Sequence, residues 1–348
     1  MIAALRSAGI EVVECHVPLW HGVEDRVNAV LGGWKKPSFL FRVIKVYTKL
    51  LWKLIFKITN FDIMIVGYPG ASDILIAKLI CLILRKKLIW DVLMSIYQVS
   101  LERNLINEKQ KKHHFLKRLE KLSANLADLL IVDTPEHVAF FSELHQLPKH
   151  KFAVIRLGAD ESLFYPREDD FSQERFTVLY YGGFLKNHGI PFIIETARLL
   201  ESQGVVFQMI GTGPELDYAK SMSNQYDLQN VDFWGYVDND SLLEQITKAD
   251  ICLGIFGKSA QAEVSINNKI YECMAMGKAI ITGDGLAIRE MAAKGVLWAC
   301  SRDIPKNLAD SITKLQSEPD LRKHLGSNAR TFFKAECSTH KLGMEIKK

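Results

Sequence analysis

The sequence has 348 residues, of which 48% are hydrophobic and 24% are charged. This is ordinary globular composition, with enough apolar content for large cores in about two domains. Its six cysteines are scattered without a Cys-x-x-Cys pair, and no histidines are paired at metal-binding spacing. We therefore expect reduced thiols in a cytosolic protein and no structural metal site.

The charge distribution and the hydropathy of the sequence limit the kinds of partner that we expect. Residues 1–160 hold 23 Lys and Arg against 15 Asp and Glu, whereas the remainder holds 21 against 25, so the net charge of +4 is unevenly distributed. The two halves are expected to face different partners. We find neither a signal peptide nor an apolar run of the ~20 residues that a membrane span needs.

The chain opens in an unusual way for a parallel α/β protein. Residues 1–9 are typical of the end of a helix with a glycine stop, and residues 10–17 predict a strand. Such a domain normally opens with a strand and a glycine-bearing turn. We therefore expect the first strand of the N-terminal domain to be missing, through either a misassigned start or a real truncation.

Residues 34–58 predict a basic amphipathic helix with many aromatic and aliphatic side chains. No acidic residue occurs between Asp25 and Asp62. Four lysines are spaced by four: Lys45, Lys49, Lys53 and Lys57. This pattern favours contact with an anionic membrane surface. The alternative is a core-packed helix with solvated lysines. Nucleic acid is disfavoured as a partner, because nothing resembles a base-stacking module.

Strand and helix patterns alternate through the rest of the first half. The predicted strands are 62–67, 87–90, 129–132 and 152–155, and the predicted helices are 72–84, 108–127 and 135–144. This alternation favours a parallel sheet covered by helices. A polar stretch at 165–175 lacks apolar periodicity, and we place the boundary between domains 1–168 and 169–348 there.

The second half repeats the same organisation. Its predicted strands are 177–181, 205–210, 231–234, 251–255 and 279–282, with helices at 190–201 and 240–247 among them. The expected fold is therefore two α/β domains with Rossmann-like parallel sheets, facing each other across a cleft. Ligands bind at the carboxyl ends of parallel strands, so the cleft is the expected site.

Residues 267–282 contain the most informative stretch. They predict a short helix, a stop at Gly277 and a buried strand. The start of the helix, with Asn267, Asn268 and Lys269, is suited to bind a phosphate because its free N–H groups and dipole favour an anion. Glu272 lies further along and is suited to accept hydrogen bonds from a sugar hydroxyl. The alternative is a surface helix with a solvated Lys and Glu.

Several blocks together resemble the retaining glycosyltransferases of family 4, which have the GT-B fold of two facing Rossmann-like domains. The resemblance covers roughly residues 60–330. The matching blocks are 158–166, 178–190, 209–214, 231–237, 249–253 and 268–278. Each block is weak alone, but their order and spacing are specific.

The resemblance implies that the second domain binds a nucleotide-diphosphate sugar and that an acceptor hydroxyl approaches from the first. It also implies independence from metal and other cofactors. Glu272 matches the second glutamate of the family's paired-glutamate motif and is expected to contact the donor ribose. The expected donor-binding residues are Gly182, Gly183, Lys186, Gly211, Gly213, Tyr236, Val237, Lys258, Glu263, Asn267, Asn268, Lys269 and Glu272. The expected catalytic residues are Lys269, Glu272 and Asp91.

The sequence departs from the family pattern around the sugar. The first glutamate of the pair falls on Val264, one residue from Glu263. The family's Arg and Lys after the glycine loop fall on Gly183 and His188, so Lys186 or Lys258 is expected to supply charge. Asp91 stands where many relatives have a histidine near the reacting sugar, and its alternative role is that of a cap or turn residue.

The function expected from these features is a retaining glycosyltransferase that moves a sugar from a nucleotide-diphosphate sugar to a hydroxyl of a glycan or lipid-linked acceptor. The basic helix places it at the cytoplasmic face of the cell membrane, in synthesis of surface polysaccharide or glycolipid. One alternative is an isomerase like the nucleotide-sugar 2-epimerases, although no acid/base cluster is evident. Another is a truncated, non-catalytic relative.

Overall fold

The structure is a computed structural model that describes residues 1–19, 36–57, 61–106, 109, 111–167 and 175–348. The domain boundary predicted after residue 168 lies outside these residues, as do positions 34, 35 and 58 of the predicted basic helix. The side chain of Lys57, a predicted membrane contact, is likewise outside the description.

Four parallel strands form the first sheet in the order β1-β2-β3-β4. They are β1 (Ile63–Val66), β2 (Lys87–Asp91), β3 (Leu129–Val132) and β4 (Phe152–Val154). Asp128, just before β3, accepts a hydrogen bond of 2.8 Å from the Leu88 backbone N–H. On one face the Trp90 ring packs edge-on against Phe141, with 6.4 Å between ring centres. Large apolar side chains of this kind form the core of the domain.

Helices cover this sheet and extend from it. They are α1 (Ile2–Ser7), α2 (Pro37–Lys57), α3 (Asp73–Leu84), α4 (Ile96–Glu102), α5 (Lys111–Leu126) and α6 (Pro135–His145). Helix α6 begins where the sequence directs, because the Thr134 side chain accepts the His137 N–H and Pro135 occupies the first turn.

Six parallel strands form the second sheet in the order β10-β9-β8-β5-β6-β7. They are β5 (Phe176–Tyr181), β6 (Val205–Ile210), β7 (Val231–Gly235), β8 (Ile251–Leu253), β9 (Ala279–Gly283) and β10 (Trp298–Cys300). The chain order reverses between β5 and β8. A reversal of this kind opens a crevice at the carboxyl ends of the two strands, where ligands of such sheets bind.

Helices cover both faces of the second sheet. They are α7 (Ile190–Leu199), α8 (Leu216–Gln225), α9 (Asn239–Lys248), α10 (Ala260–Val264), α11 (Asn268–Ala275), α12 (Arg289–Ala293), α13 (Pro305–Ser317), α14 (Pro319–Phe332) and α15 (Thr339–Lys347). Apolar side chains of α7, α8 and α13 form one buried cluster, and those of α9, α11 and α12 form the other. The prediction of a second parallel sheet covered by helices is confirmed.

The last helix, α15, packs against the first helix, α1. A Cβ on Gly343 would lie 2.2 Å from the carbonyl oxygen of Ala4, so the backbones approach as closely as glycine allows. The Ser7 hydroxyl also donates to the Thr339 carbonyl at 3.1 Å. The end of the chain is therefore joined to its beginning.

Two features of the first domain differ from the sequence-based expectation. Residues 10–17 form no strand, because no described strand pairs with them, and Val13 is 52% exposed. An extended segment without a hydrogen-bonded neighbour is not stable as a strand. Helix α4 was not predicted. It is only seven residues long, and its clearest signal is the cap at Ser95, whose hydroxyl accepts the Gln98 N–H.

Candidate active site

Two glycine turns meet at the carboxyl edge of the second sheet. Gly182 follows β5 with φ of +130°, and Gly211 follows β6 with φ of +128°. A Cβ on Gly211 would lie 2.0 Å from the Gly182 carbonyl oxygen, and one on Gly213 would lie 2.7 Å from the Phe184 nitrogen. Only glycine fits both the backbone conformation and this close approach. The predicted glycines are thus brought together at the edge of the sheet where ligands of such folds bind.

The segment after β7 lies beside these turns. The Gly211 N–H donates to the Gly235 carbonyl at 2.7 Å, which ties the end of β7 to the second glycine turn. Tyr236 follows with its side chain 82% exposed, whereas Val237 packs partly against the core. An exposed aromatic ring at this edge is suited to stack on a planar ligand.

Lys269 is buried at the start of α11, with 7% of its surface exposed. Its Nζ lies 3.9 Å from the centre of the Tyr180 ring, and a Cβ on Gly182 would be 3.3 Å from it. Within the described residues this ammonium has no hydrogen-bond partner. Burial lowers the pKa of Lys269 to about 7. The interpretation of Lys269 as a solvated surface residue is therefore wrong.

The start of α11 is not capped by a side chain. Asn267 occupies the cap position but makes no side-chain capping hydrogen bond, and Asn268 is exposed. The first N–H groups of a helix have no partner within the helix. These groups, together with the lysine ammonium, give this end of the helix the character of an anion site.

Glu272 lies one turn further along α11 and is partly buried. Its Oε2 accepts a hydrogen bond of 2.8 Å from the Tyr181 hydroxyl. Burial raises the pKa of Glu272, while the Tyr181 hydrogen bond and the Lys269 charge oppose the rise. Tyr180 and Tyr181 were not predicted as site residues. They end β5, where consecutive side chains point to opposite faces of the sheet, and a strand pattern alone does not indicate a function for them.

His188 stabilises the first glycine turn without contributing charge. The Tyr180 hydroxyl donates to the Gly183 carbonyl at 2.7 Å and lies 2.7 Å from His188 Nδ1. Because the hydroxyl has a single proton, Nδ1 carries the proton of the second hydrogen bond. Burial, together with a smaller effect of the Lys269 charge, lowers the pKa of His188 to about 3. The imidazole is therefore neutral near pH 7.

The surroundings of three other predicted donor-binding residues differ from those of Lys269. Lys186 is exposed in a short 3-10 helix over Lys186–His188. Lys258 forms an exposed ion pair with Asp303 at 2.6 Å. Glu263 forms an ion pair with the buried Arg302 guanidinium. In this conformation the structure does not bring Lys258 or Glu263 to the Lys269 ammonium.

The two domains are joined next to the site. The Thr134 hydroxyl donates to the Val264 carbonyl, and the Asp133 carboxylate accepts the Ile266 N–H at 3.2 Å. Val264 itself is buried, so an apolar core side chain occupies the position of the family's first glutamate. These contacts fix the segment between α10 and α11 against the carboxyl edge of the first sheet.

Asp91 ends β2 at that same edge. It caps no helix, because Ser95 caps α4. Burial raises the pKa of Asp91 to about 6, with the charge of Asp133 adding to the rise. This carboxyl with a raised pKa thus lies on the side of the first domain that meets the second.

The remaining sequence-based expectations concern metal ions and cysteine thiols. Among the residues that the structure describes, no group of three or more His, Cys, Asp and Glu side chains is arranged to hold a metal ion. All six cysteines are free thiols, and five of them are buried.

The outer face of α2 is both apolar and basic. Leu40, Phe41, Ile44 and Trp52 are exposed by 59%, 69%, 54% and 67%. Lys45, Lys49 and Lys53 are exposed on the same helix. The Tyr47 hydroxyl donates to Asp73 at 2.6 Å and joins α2 to α3. Over the described part of the chain, no helix is long and apolar enough to span a membrane.

Comparison with known proteins agrees with this architecture. The family model described as "Glycosyl transferases group 1" matches residues 163–332. An uncharacterized glycosyltransferase of Methanocaldococcus jannaschii is 23% identical over 96% of this chain and 87% of its own length. The putative colanic acid biosynthesis glycosyltransferase WcaL of Escherichia coli is 26% identical over 39% of this chain and 34% of its own.

Similarity to solved structures extends to both domains. The crystal structure of Anabaena HepE in complex with UDP superposes with a TM-score of 0.69 at 18% identity, over 86% of this chain and 80% of that chain. HepE has also been crystallised with UDP-glucose. At this level of identity the similarity shows the fold, and the predicted GT-B architecture is confirmed.

Proposed function

We propose that this chain, whose residues 163–332 match the glycosyl transferases group 1 family, transfers a sugar from a nucleotide-diphosphate sugar to a hydroxyl acceptor with retention of configuration. The observation that carries the proposal is the buried ammonium of Lys269, which lies between the first glycine turn and the start of α11. A buried cation without a hydrogen-bond partner is costly, and the oxygens of a bound diphosphate would supply that partner.

The donor diphosphate is proposed to lie across the two glycine turns that contain Gly182 and Gly211, at the carboxyl edge of the second sheet. Lys269 and the start of α11 stabilise the negative charge that develops on the leaving diphosphate. Glu272 accepts hydrogen bonds from the donor ribose. The Tyr181 hydroxyl holds the Glu272 carboxylate in place through a hydrogen bond of 2.8 Å. No metal is required in this scheme, because protein cations and dipoles meet the diphosphate.

The chemical step exchanges one bond for another on the anomeric carbon. The bond between that carbon and the diphosphate oxygen breaks as the acceptor oxygen bonds on the same face of the sugar. The acceptor proton passes to the departing diphosphate, so no side-chain base is needed. Asp91 is proposed to orient the acceptor hydroxyl or the sugar from the first domain.

The nucleotide and acceptor are proposed from the relatives. HepE was crystallised with UDP, so UDP is the first nucleotide to test. Tyr236, exposed beside the second glycine turn, is proposed to stack on the base. The name of WcaL points to polysaccharide synthesis, so a glycan or lipid-linked glycan of the cell surface is the proposed acceptor.

We propose that α2 attaches the protein to an anionic membrane surface. Its exposed Phe41 and Trp52 provide apolar area for the interface, and its lysines provide attraction to acidic lipid. A helix in the lipid interface would place the acceptor-binding domain close to a lipid-linked acceptor at the cytoplasmic face.

Vesicle co-sedimentation tests the membrane proposal. The variant with Lys45, Lys49 and Lys53 changed to Glu is expected to lose binding to vesicles that contain phosphatidylglycerol. A control variant changes three exposed lysines of the second domain, Lys220, Lys323 and Lys334, to Glu and should still sediment. Sedimentation of the first variant at the wild-type level would reject the proposal.

Thermal unfolding with a nucleotide panel tests the enzyme proposal. UDP, GDP, ADP and dTDP at 1 mM are compared, and one of them is expected to raise the melting temperature because it binds only the native state. The absence of any shift with all four would argue against a donor site and for a non-catalytic relative. Conversion of UDP-N-acetylglucosamine to an epimer without acceptor would instead favour the isomerase.

A further inference from the structure

The donor site has fewer cations in its second domain than the proposed chemistry requires. The positions expected to carry the family's Arg and Lys are Gly183 and His188, and His188 is a neutral hydrogen-bond donor to Tyr180. Lys258 is paired with Asp303 away from Lys269. A nucleoside diphosphate carries about three negative charges near pH 7, so a single buried lysine leaves much of this charge unmatched.

Helix α4 of the first domain ends at a contact with the second domain. Its start is held by Glu120, a fully buried carboxylate that accepts the Ile96 N–H at 2.6 Å and the Ser95 hydroxyl at 2.7 Å. The same carboxylate lies 2.8 Å from His145 Nε2 on α6. The helix is therefore fixed at one end by hydrogen bonds to a buried charge, which are stronger than those between neutral groups.

The other end of α4 contacts the second domain directly. The Glu102 carboxylate accepts the Gln261 N–H of α10 at 3.0 Å and a hydrogen bond of 3.1 Å from Gln98 in its own helix. This contact fixes the end of α4 against α10, the helix that precedes α11 in the chain. Arg103 is the next residue after Glu102.

The Arg103 side chain is buried in part and incompletely bonded. Its Nε has no solvent contact and, among the described residues, no hydrogen-bond partner. The charges of Arg103 and Lys269 both lower the pKa of His188, after the larger effect of burial. Each cation, one from each domain, therefore acts on the histidine that supports the first glycine turn. A guanidinium left with an unsatisfied buried N–H is suited to bind phosphate oxygens.

We propose that Arg103 of the first domain binds the donor diphosphate together with Lys269 of the second, so that the anion site is complete only when the domains are joined at Glu102 and Gln261. The inference rests on the proposed function, since it assigns a second ligand to the same diphosphate. The competing explanation is structural: Arg103 follows the carboxyl end of α4, where a cation stabilises the helix dipole.

Isothermal titration with UDP and UMP separates the two explanations. Arg103→Gln is expected to weaken UDP binding about tenfold or more, because a charged hydrogen bond is lost, and to weaken UMP binding less. Arg103→Lys keeps the charge and is expected to recover part of the affinity. The matched control is Arg118→Gln, which changes an exposed arginine on α5. Melting temperatures without ligand report folding of each variant.

The outcomes are distinct. A purely structural Arg103 would lower the melting temperature in Arg103→Gln while leaving the preference for UDP over UMP unchanged, and this would overturn the inference. Wild-type affinity for UDP in a folded Arg103→Gln variant would also overturn it, and the proposed function would stand. If the wild-type protein binds none of UDP, GDP, ADP and dTDP, the proposed function fails and the inference fails with it. Selective loss of UDP binding with partial rescue by lysine supports the inference.

Discussion

The Lys269 ammonium lies 3.9 Å from the centre of the Tyr180 ring, directly beneath the first glycine turn. An aromatic face attracts a cation but cannot replace a counter-ion. In the described part of the chain the ammonium has no hydrogen-bond partner, so its environment is incomplete without an anion. This relationship between a strand residue and a helix residue is the basis of the proposed diphosphate site.

The stability of the protein is expected to depend on pH through Lys269. Burial lowers the pKa of Lys269 from 10.5 to about 7 in the folded state, so between these values the unfolded state binds more protons. Stability therefore rises with pH across this window. Lys269→Met removes the titration and should be more stable than the wild type at pH 7, with a difference that shrinks toward pH 10. Urea denaturation at several pH values measures this, and a difference independent of pH would contradict it.

The close contact between the two glycine turns allows us to predict the effect of replacing Gly211. Gly211→Ala should destabilise the protein by several kcal/mol and abolish nucleotide binding, because its Cβ would lie 2.0 Å from the Gly182 carbonyl and φ is +128°. Gly204→Ala is the control, since φ is +69° there but nothing lies within 4 Å, and it should cost only about 1 kcal/mol. Equal losses in the two variants, measured by denaturation, would show that strain alone explains the effect.

Glu272 is expected to recognise the ribose. Glu272→Ala should weaken UDP binding about tenfold, because a carboxylate that accepts sugar hydroxyls is lost. The loss should be smaller for 2′-deoxy-UDP, which offers one hydroxyl fewer. Calorimetric titration of both nucleotides measures the difference. The same fold-loss for UDP and for 2′-deoxy-UDP would assign Glu272 to stabilising Tyr181 instead.

Asp91 provides a second pH-dependent test. Burial raises the pKa of Asp91 from 3.8 to about 6, so the folded state binds more protons between these values and stability falls as pH rises through them. Asp91→Asn should match the wild type near pH 4 and exceed its stability above pH 6 by up to about 3 kcal/mol. Denaturation curves at pH 4, 5, 6 and 7 measure the gap. A gap that does not widen would show that Asp91 titrates normally.

The sequence predicted the strands well, because apolar runs bounded by glycine and polar residues carry a strong local signal. It also predicted which glycines turn at the sheet edge and the helix that ends at Gly277, whose φ is +69°. The segment at 10–17 failed because pairing with a neighbour, and not local pattern, decides whether a strand forms. A strand prediction therefore needs a partner as well as a pattern.

The candidate site was only partly predictable for a related reason. The motif located Lys269 and Glu272, but burial of the lysine and its contact with Tyr180 depend on packing between β5 and α11. The pairing of Glu263 with Arg302 joins residues far apart in the chain, and the short helix that ends before Arg103 has little periodicity. Such long-range contacts have no signature in a single sequence.

The most direct test of the account is the affinity of UDP for the wild type and for Lys269→Met, measured by calorimetric titration at pH 7. Lys220→Met, which changes an exposed lysine of α8, is the matched control. The account predicts that Lys269→Met remains folded and binds UDP at least about tenfold more weakly, whereas the control binds as the wild type does. Wild-type affinity in a folded Lys269→Met variant would contradict the central claim that this buried ammonium binds the donor diphosphate.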